Sequence, residues 1–172
     1  MPEVKKLDRD MEELKQYQRE NNIEIHGIPQ KKDEDVYKII VDLSKELKIL
    51  LTQDDIGIAH RLPSSKTYNH RPIILKLVCR WKKEEILKAK KSVPNLGNQS
   101  IGVNDFPNRK IYLNYNLTPY NKLLYKTARD LRPQIKFVWL KDCKMFIRKS
   151  ENDSAVWIKS EEHLSDIKKS LQ

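Results

Sequence analysis

Four histidines and two cysteines are the first places to look for chemistry. His26, His60, His70 and His163 share no metal-ligand spacing with one another or with Cys79 and Cys143. The chain contains no glycine-rich phosphate loop and no nucleophile elbow. Its carboxylates fall in charged loops and amphipathic stretches, where solvation is their ordinary role. Cys79 closes an apolar run and reads as a buried hydrophobe. Cys143 falls in a hairpin turn and reads as exposed and oxidisable, not as a nucleophile. The chemistry that remains is phosphate binding by fixed cations. Lys122, Lys126, Arg129 and Arg132 recur at steps of four, three and three, which places them on one broad helical face. Such a stripe can track a nucleic-acid backbone, because each contact releases counterions. Lys136 and Arg148 extend it. Tyr120 and Tyr125 stand among these bases as candidate stackers on unpaired bases. Phe137, Trp139 and Phe146 are interleaved with them too, either as further stackers or as the core of a small unit, with the core reading favoured. The sequence predicts a non-enzymatic protein with no catalytic residue, metal or cofactor.

The charge distribution sharpens this. The chain has 172 residues, with 34 Lys+Arg against 24 Asp+Glu and a formal net charge of +10. The excess is local. Residues 1–20 hold five bases and six acids, and 151–172 hold three bases and five acids. Residues 80–91 contribute six bases and two acids, and 118–150 nine bases and two acids. Those two segments supply the whole excess, and an acidic partner follows, with single-stranded RNA or DNA the default. No apolar run approaches the ~18 residues of a membrane span, so no membrane partner is expected. Two cysteines do not make a disulfide scaffold, and no secretory leader is recognisable. The expected location is intracellular, cytoplasmic or nuclear.

The elements that would position these residues follow from periodicity. Val4, Leu7, Met11 and Leu14 form an a/d seam on an amphipathic helix over 3–20. That seam fits a coiled-coil end that makes a homo-oligomer, and it fits equally a helix packed on its own domain. Residues 22–29 alternate as a strand, and 34–49 carry helical spacing, with Asp33 or Glu34 as cap. Residues 56–62 and 72–78 read as strands, and 81–91 as a basic helix with Ile86, Leu87 and Trp81 inward. Residues 63–70 and 92–108 are polar loops. Residues 110–117 supply a fourth strand, with 101–104 as its rival. The sum is β-α-β-β-α-β, a ferredoxin-like plan. Thr118 and Pro119 then open a new helix with Leu123, Leu124, Thr127 and Leu131 inward. A hairpin over 137–148, a strand at 155–158 and a helix over 161–171, capped by Ser160, complete an α+β chain. The expected domains are 1–20, 21–117 and 118–172.

On the four-stranded sheet, Glu24 and His26 face outward from the first strand, and Arg71, Ile74 and Lys76 from the third. That face has no aromatic pair for base stacking. Arg61 ends the second strand, either in contact with phosphate or as a satisfied surface arginine.

The run Gln16-Tyr17-Gln18-Arg19-Glu20-Asn21-Asn22-Ile23-Glu24-Ile25-His26-Gly27-Ile28-Pro29 resembles the junction between coiled coil and RRM-like domain in first-open-reading-frame proteins of LINE-type retrotransposons. It is similar also to the related baculovirus FP (few-polyhedra) proteins. Ala59-His60-Arg61-Leu62, Arg71-Pro72-Ile73-Ile74-Leu75-Lys76, Asn116-Leu117-Thr118-Pro119, Ala128-Arg129-Asp130-Leu131, Phe137-Val138-Trp139 and Ile147-Arg148-Lys149 follow in the family's order. The resemblance implies a coiled coil that assembles subunits, then an RRM-like and a small C-terminal domain that bind single strands with little sequence preference and act as chaperones. It carries over Arg61, Arg71 and Arg129 as binding positions. The chain departs from the family in its short coiled coil, its longer 95–108 loop and its Asp142-Cys143 turn. The alternative function is a protein–protein assembly module, FP-like, with no direct hold on nucleic acid.

Overall fold

A computed structural model describes residues 2–63 and 70–170. Most of the polar loop expected at 63–70, and Leu171 of the last helix, lie outside the described residues. The chain divides into two compact units: residues 21–116, and residues 117–172 together with 1–20.

The 21–116 unit holds β1 (Asn22–His26), α2 (Val36–Glu46), β2 (Ile56–Arg61), β3 (Ile73–Leu77), α3 (Arg80–Lys91) and β4 (Tyr112–Tyr115). Its sheet is antiparallel in the order β2-β3-β1-β4. With one helix after β1 and one after β3, this is the ferredoxin-like plan. The fourth strand is 112–115, and the rival at 101–104 holds no strand: Ile101 ends a helical turn over Asn98–Ile101 and Gly102 caps it. Ile23, Ile25, Ile73, Leu75, Leu77 and Leu113 point to one face and pack with Ile40, Leu43, Leu47 and Ile86 of the helices. Asp35, rather than Asp33 or Glu34, caps α2 by accepting from the Lys38 N–H at 3.1 Å. Gly27 follows β1 at φ +95, where a Cβ would stand 2.1 Å from the Lys110 carbonyl oxygen, so only glycine fits.

Several side chains depart from the sequence reading. Glu24 is buried, not exposed. Its carboxylate accepts from Asn116 Nδ2 at 3.0 Å and lies 2.8 Å from His26 Nε2. Ile74 is buried on the same face. Cys79 is exposed, because β3 ends at Leu77 and Cys79 has become the cap residue of α3. Trp81 is exposed, whereas Lys82 and Lys83 are buried. Lys82 donates to the Leu50 carbonyl at 3.0 Å, and Lys83 sits over the Tyr115 ring beside Glu84. The basic helix therefore turns two of its six cations inward.

Arg61 is 8% exposed and has all five N–H donors engaged within its own unit. Nε donates to Glu34 at 2.8 Å and Nη2 to the same carboxylate at 2.7 Å. The remaining donors reach the carbonyls of Ile28, Pro29 and Arg71. This bidentate pair ties the end of β2 to both flanking loops. No donor remains for a phosphate. Replacing Arg61 with Ala strands a buried carboxylate and three carbonyls, and should cost about 3–5 kcal/mol in urea denaturation.

The other unit holds α1 (Pro2–Tyr17), α4 (Pro119–Asp130), β5 (Phe137–Lys141), β6 (Lys144–Arg148), β7 (Val156–Ile158) and α5 (Glu161–Lys169). β5, β6 and β7 form an antiparallel sheet in chain order. Asp142 and Cys143 both adopt positive φ, as a two-residue turn of the I′ type requires. Cys143 is buried there, not exposed. Thr118 caps α4 through the Asn121 N–H, and Ser160 caps α5 through the His163 N–H, each at 3.2 Å. Helix α1 turns a polar face to this unit. Gln16 is buried, and its Oε1 accepts from the Thr118 N–H at 3.0 Å and from Asn121 Nδ2 at 2.9 Å. Glu162 is held below the usual carboxylate range by its own backbone N–H and the Ser160 hydroxyl, with Lys5 and Arg9 of α1 adding their charge. Val4, Leu7, Met11 and Leu14 are consequently all exposed. Among the described residues no helix is long and apolar enough to cross a membrane.

Candidate nucleic-acid interface

The interface is best built from the small sheet outward. Side chains alternate across a strand, so one set from each strand meets α4 and α5 and the other set faces away. The inward set is Val138, Met145, Ile147 and Ile158. It packs with Leu124, Ala128 and Leu131 of α4, Leu164 of α5 and Ile135. Leu123 is exposed, against expectation, because the buried stripe of α4 runs through 124, 128 and 131.

Covering that face fixes what α4 shows to solvent. Lys122, Lys126, Arg129 and Arg132 are all exposed. With Tyr125 and Asp130 they line a shallow hollow of about 370 Å³. Arg129 stands over the Tyr125 ring, 5.8 Å from its centre. Arg132 reaches toward the edge strand, with Nη2 3.5 Å from the Val138 carbonyl. Four cations thus meet one carboxylate around one concavity. Tyr125 remains at its wall, half-buried. Tyr120 does not: its ring packs on the core and its hydroxyl accepts from the Glu161 N–H at 3.2 Å.

The outward set of the sheet is where sequence reasoning placed its residues on the wrong side. Phe137, Trp139 and Phe146 are not core. Trp139 pairs with Phe146 across β5 and β6, and Phe146 pairs with Trp157 across β6 and β7. The three rings form one row across the sheet. Trp139 and Phe146 lie 5.8 Å apart, nearly parallel at 19°. Lys144 and Lys159 stand over the Trp157 ring at 4.7 and 4.3 Å. Arg148 and Lys136 stand over Phe137 at 4.4 and 5.4 Å. Trp157 and Lys159 were missed altogether. The strict alternation of 137, 139 and 141 against 138 and 140 was the signal that could have found the face.

The remaining candidates divide by unit. Arg71 and Lys76 belong to the four-stranded unit, Lys76 exposed and Arg71 half-buried, its carbonyl taken by Arg61. Lys136 is paired with Glu151. A wide groove of about 1160 Å³ opens between α1 and the small sheet. Its walls carry Asp8, Asp10, Glu12 and Glu13 opposite Lys144 and Lys159, a mixture of signs that does not suit a phosphate chain. Among the described residues no three His, Cys, Asp or Glu side chains gather as a metal site.

Residues 118–168 match the family model of baculovirus FP protein domain 2. The match takes in α4, the three-stranded sheet and nearly all of α5. No curated protein matches the chain. The matched segment therefore contains both the α4 hollow and the aromatic row.

Because of this alternation, Ile147→Ala opens a cavity in the core of the small unit and should cost about 2–5 kcal/mol. Trp139→Ala, though it removes a larger ring, should cost well under half of that. Equilibrium urea unfolding of the two variants checks the assignment, and equal losses would place Trp139 in the core.

Proposed function

We propose that the protein is a non-enzymatic nucleic-acid-binding protein that prefers single strands and grips them mainly through phosphate contacts. One observation carries this reading. Lys122, Lys126, Arg129 and Arg132 surround a single concavity on the exposed side of α4, with Asp130 as its one acid. A phosphate chain satisfies that charge more fully than a folded protein surface of mixed sign. Arg148, and Lys136 beside Glu151, add positive charge on the opposite face of the small sheet and do not continue the α4 hollow, and Lys76 and Arg71 offer a second, weaker contact on the other unit. Arg61 has no part in it. The FP similarity over 118–168 and the ordered motifs from Gln16 onward support a role as a nucleic-acid chaperone of an FP-like viral protein or a retroelement. The LINE-type part of that reading rests on the motifs alone.

The expected outcome is a steep loss of affinity with salt. Arg129→Ala with Arg132→Ala removes two phosphate contacts, so the slope of log K against log salt on a single strand should shrink by about 1.4. Fluorescence anisotropy over a salt series measures it. An unchanged slope, or no binding at low salt, counts against the proposal.

A second reading, an assembly module, is favoured by α1. Its seam of Val4, Leu7, Met11 and Leu14 is exposed while its polar face meets its own unit. An apolar a/d seam in water suits a second copy of the same helix. Sedimentation equilibrium should show self-association that Leu7→Asp with Leu14→Asp abolishes. A monomer at all concentrations would leave the seam without this role.

A further inference from the structure

We propose that Trp139, Phe146 and Trp157 form a stacking platform for the bases of an unpaired strand, and that this face, not α4, is what distinguishes single strands from duplex. The inference rests on the nucleic-acid reading above and locates its specificity.

The starting point is the cost of the row. A small unit with nine buried apolar residues in its core has placed three of its largest rings on the face opposite α4 and α5. Neighbouring strands lie about 4.8 Å apart, so a row across three strands spans about 10 Å. That length suits a short stretch of splayed nucleotides. Trp139 and Phe146 stack on each other, which leaves the far face of Trp139 for one base. Trp157 takes another. The ammonium groups of Lys144 and Lys159 now rest on its ring, on long flexible stems. A base arriving there displaces them toward its own phosphate, so the cation–π contact is exchanged for an ion pair.

Charge chooses the occupant. The charged side chains on the outer face around the row are Lys141, Lys144, Arg148 and Lys159, all basic. Glu151 is paired with Lys136, and Lys144, Trp157 and Lys159 also line the groove whose other wall is the acidic α1, so phosphate is held chiefly at Arg148 and Lys141. Alternating π faces and cations match a chain of alternating bases and phosphates. A duplex offers the phosphates but keeps its base faces stacked within itself. It can therefore use α4 and not the row. The two surfaces lie on opposite sides of the small sheet, since α4 packs on the inner face and the row stands on the outer.

The test uses the full chain and three labelled probes: an oligothymidylate, an abasic strand of the same length, and a duplex. The expected result is that the wild type binds the oligothymidylate tightest. Each ring stacks one base, so Trp139→Ala with Trp157→Ala should weaken that probe by about 30-fold or more, down to the abasic level. Affinity for the abasic strand and the duplex should not change. Trp139→Phe with Trp157→Phe, which keeps the rings and the fold, should restore most of the preference. Circular dichroism confirms that both variants fold.

The platform is overturned if wild type binds oligothymidylate and abasic strand alike, a result that leaves phosphate binding standing. It is overturned also if the alanine variant keeps the preference, or loses all three probes equally. Self-association that the alanine variant abolishes, with oligothymidylate binding intact, would assign the row to a second copy instead. Failure of the wild type to bind any probe removes the nucleic-acid reading itself.

Discussion

A three-stranded sheet has two faces, and this unit packs its helices α4 and α5 on one of them. The other features of this unit's surface follow from that shortage. Alternation sends half of each strand's side chains to the opposite face, whatever their chemistry. The inner half must be aliphatic enough to hold α4 and α5, and Val138, Met145, Ile147 and Ile158 are. The outer half then carries rings and cations. The same packing decides which side of α4 is buried, and so which cations gather around its hollow. Function on this unit is a by-product of which face the helices chose.

The four-stranded unit obeys a different constraint. There the sheet's helix-free face carries a buried carboxylate, Glu24, held by Asn116 and His26. That face is spent on internal hydrogen bonds, and so is Arg61. Buried polar groups need partners, and here the partners are the residues that would otherwise meet a ligand. This explains why Arg61 has no donor left for a ligand.

Much of the fold was legible because it rests on local rules. Strand alternation, the Thr118-Pro119 helix start and the Ser160 cap are readable from neighbours in sequence, and each element stands within a few residues of its expected span. The site was only partly legible. The spacing of Lys122, Lys126, Arg129 and Arg132 gave their shared face directly. Phe137, Trp139 and Phe146 were misplaced because hydrophobicity was allowed to outrank phase: large rings were assumed to be inside, although their alternation with Val138 and Ile147 put them opposite the core. Arg61 and Glu24 depart from expectation for the converse reason, and the burial of Lys82 and Lys83 follows the same rule. Charge suggests exposure, and only a tertiary partner such as Glu34 or Asn116 overrules it. Cys143 was misjudged because a turn residue was taken as a surface residue, whereas an I′ turn can fold its second side chain back onto the sheet.

The hydrogen bond from the Thr118 N–H to Gln16 separates two boundaries that are easily confused. The recognisable stretch of sequence starts at 118, at a helix cap. The first backbone donor of that stretch is buried and finds its acceptor a hundred residues earlier. A buried donor without an acceptor is costly. The stretch that matches the family model is thus smaller than the piece that closes on itself. If such a segment moved between genes, it would need either to travel with its preceding helix or to land beside a neighbour offering a carbonyl in the same place. The α1 helix, weakly patterned and acidic, is in that sense the hinge on which the segment's portability turns.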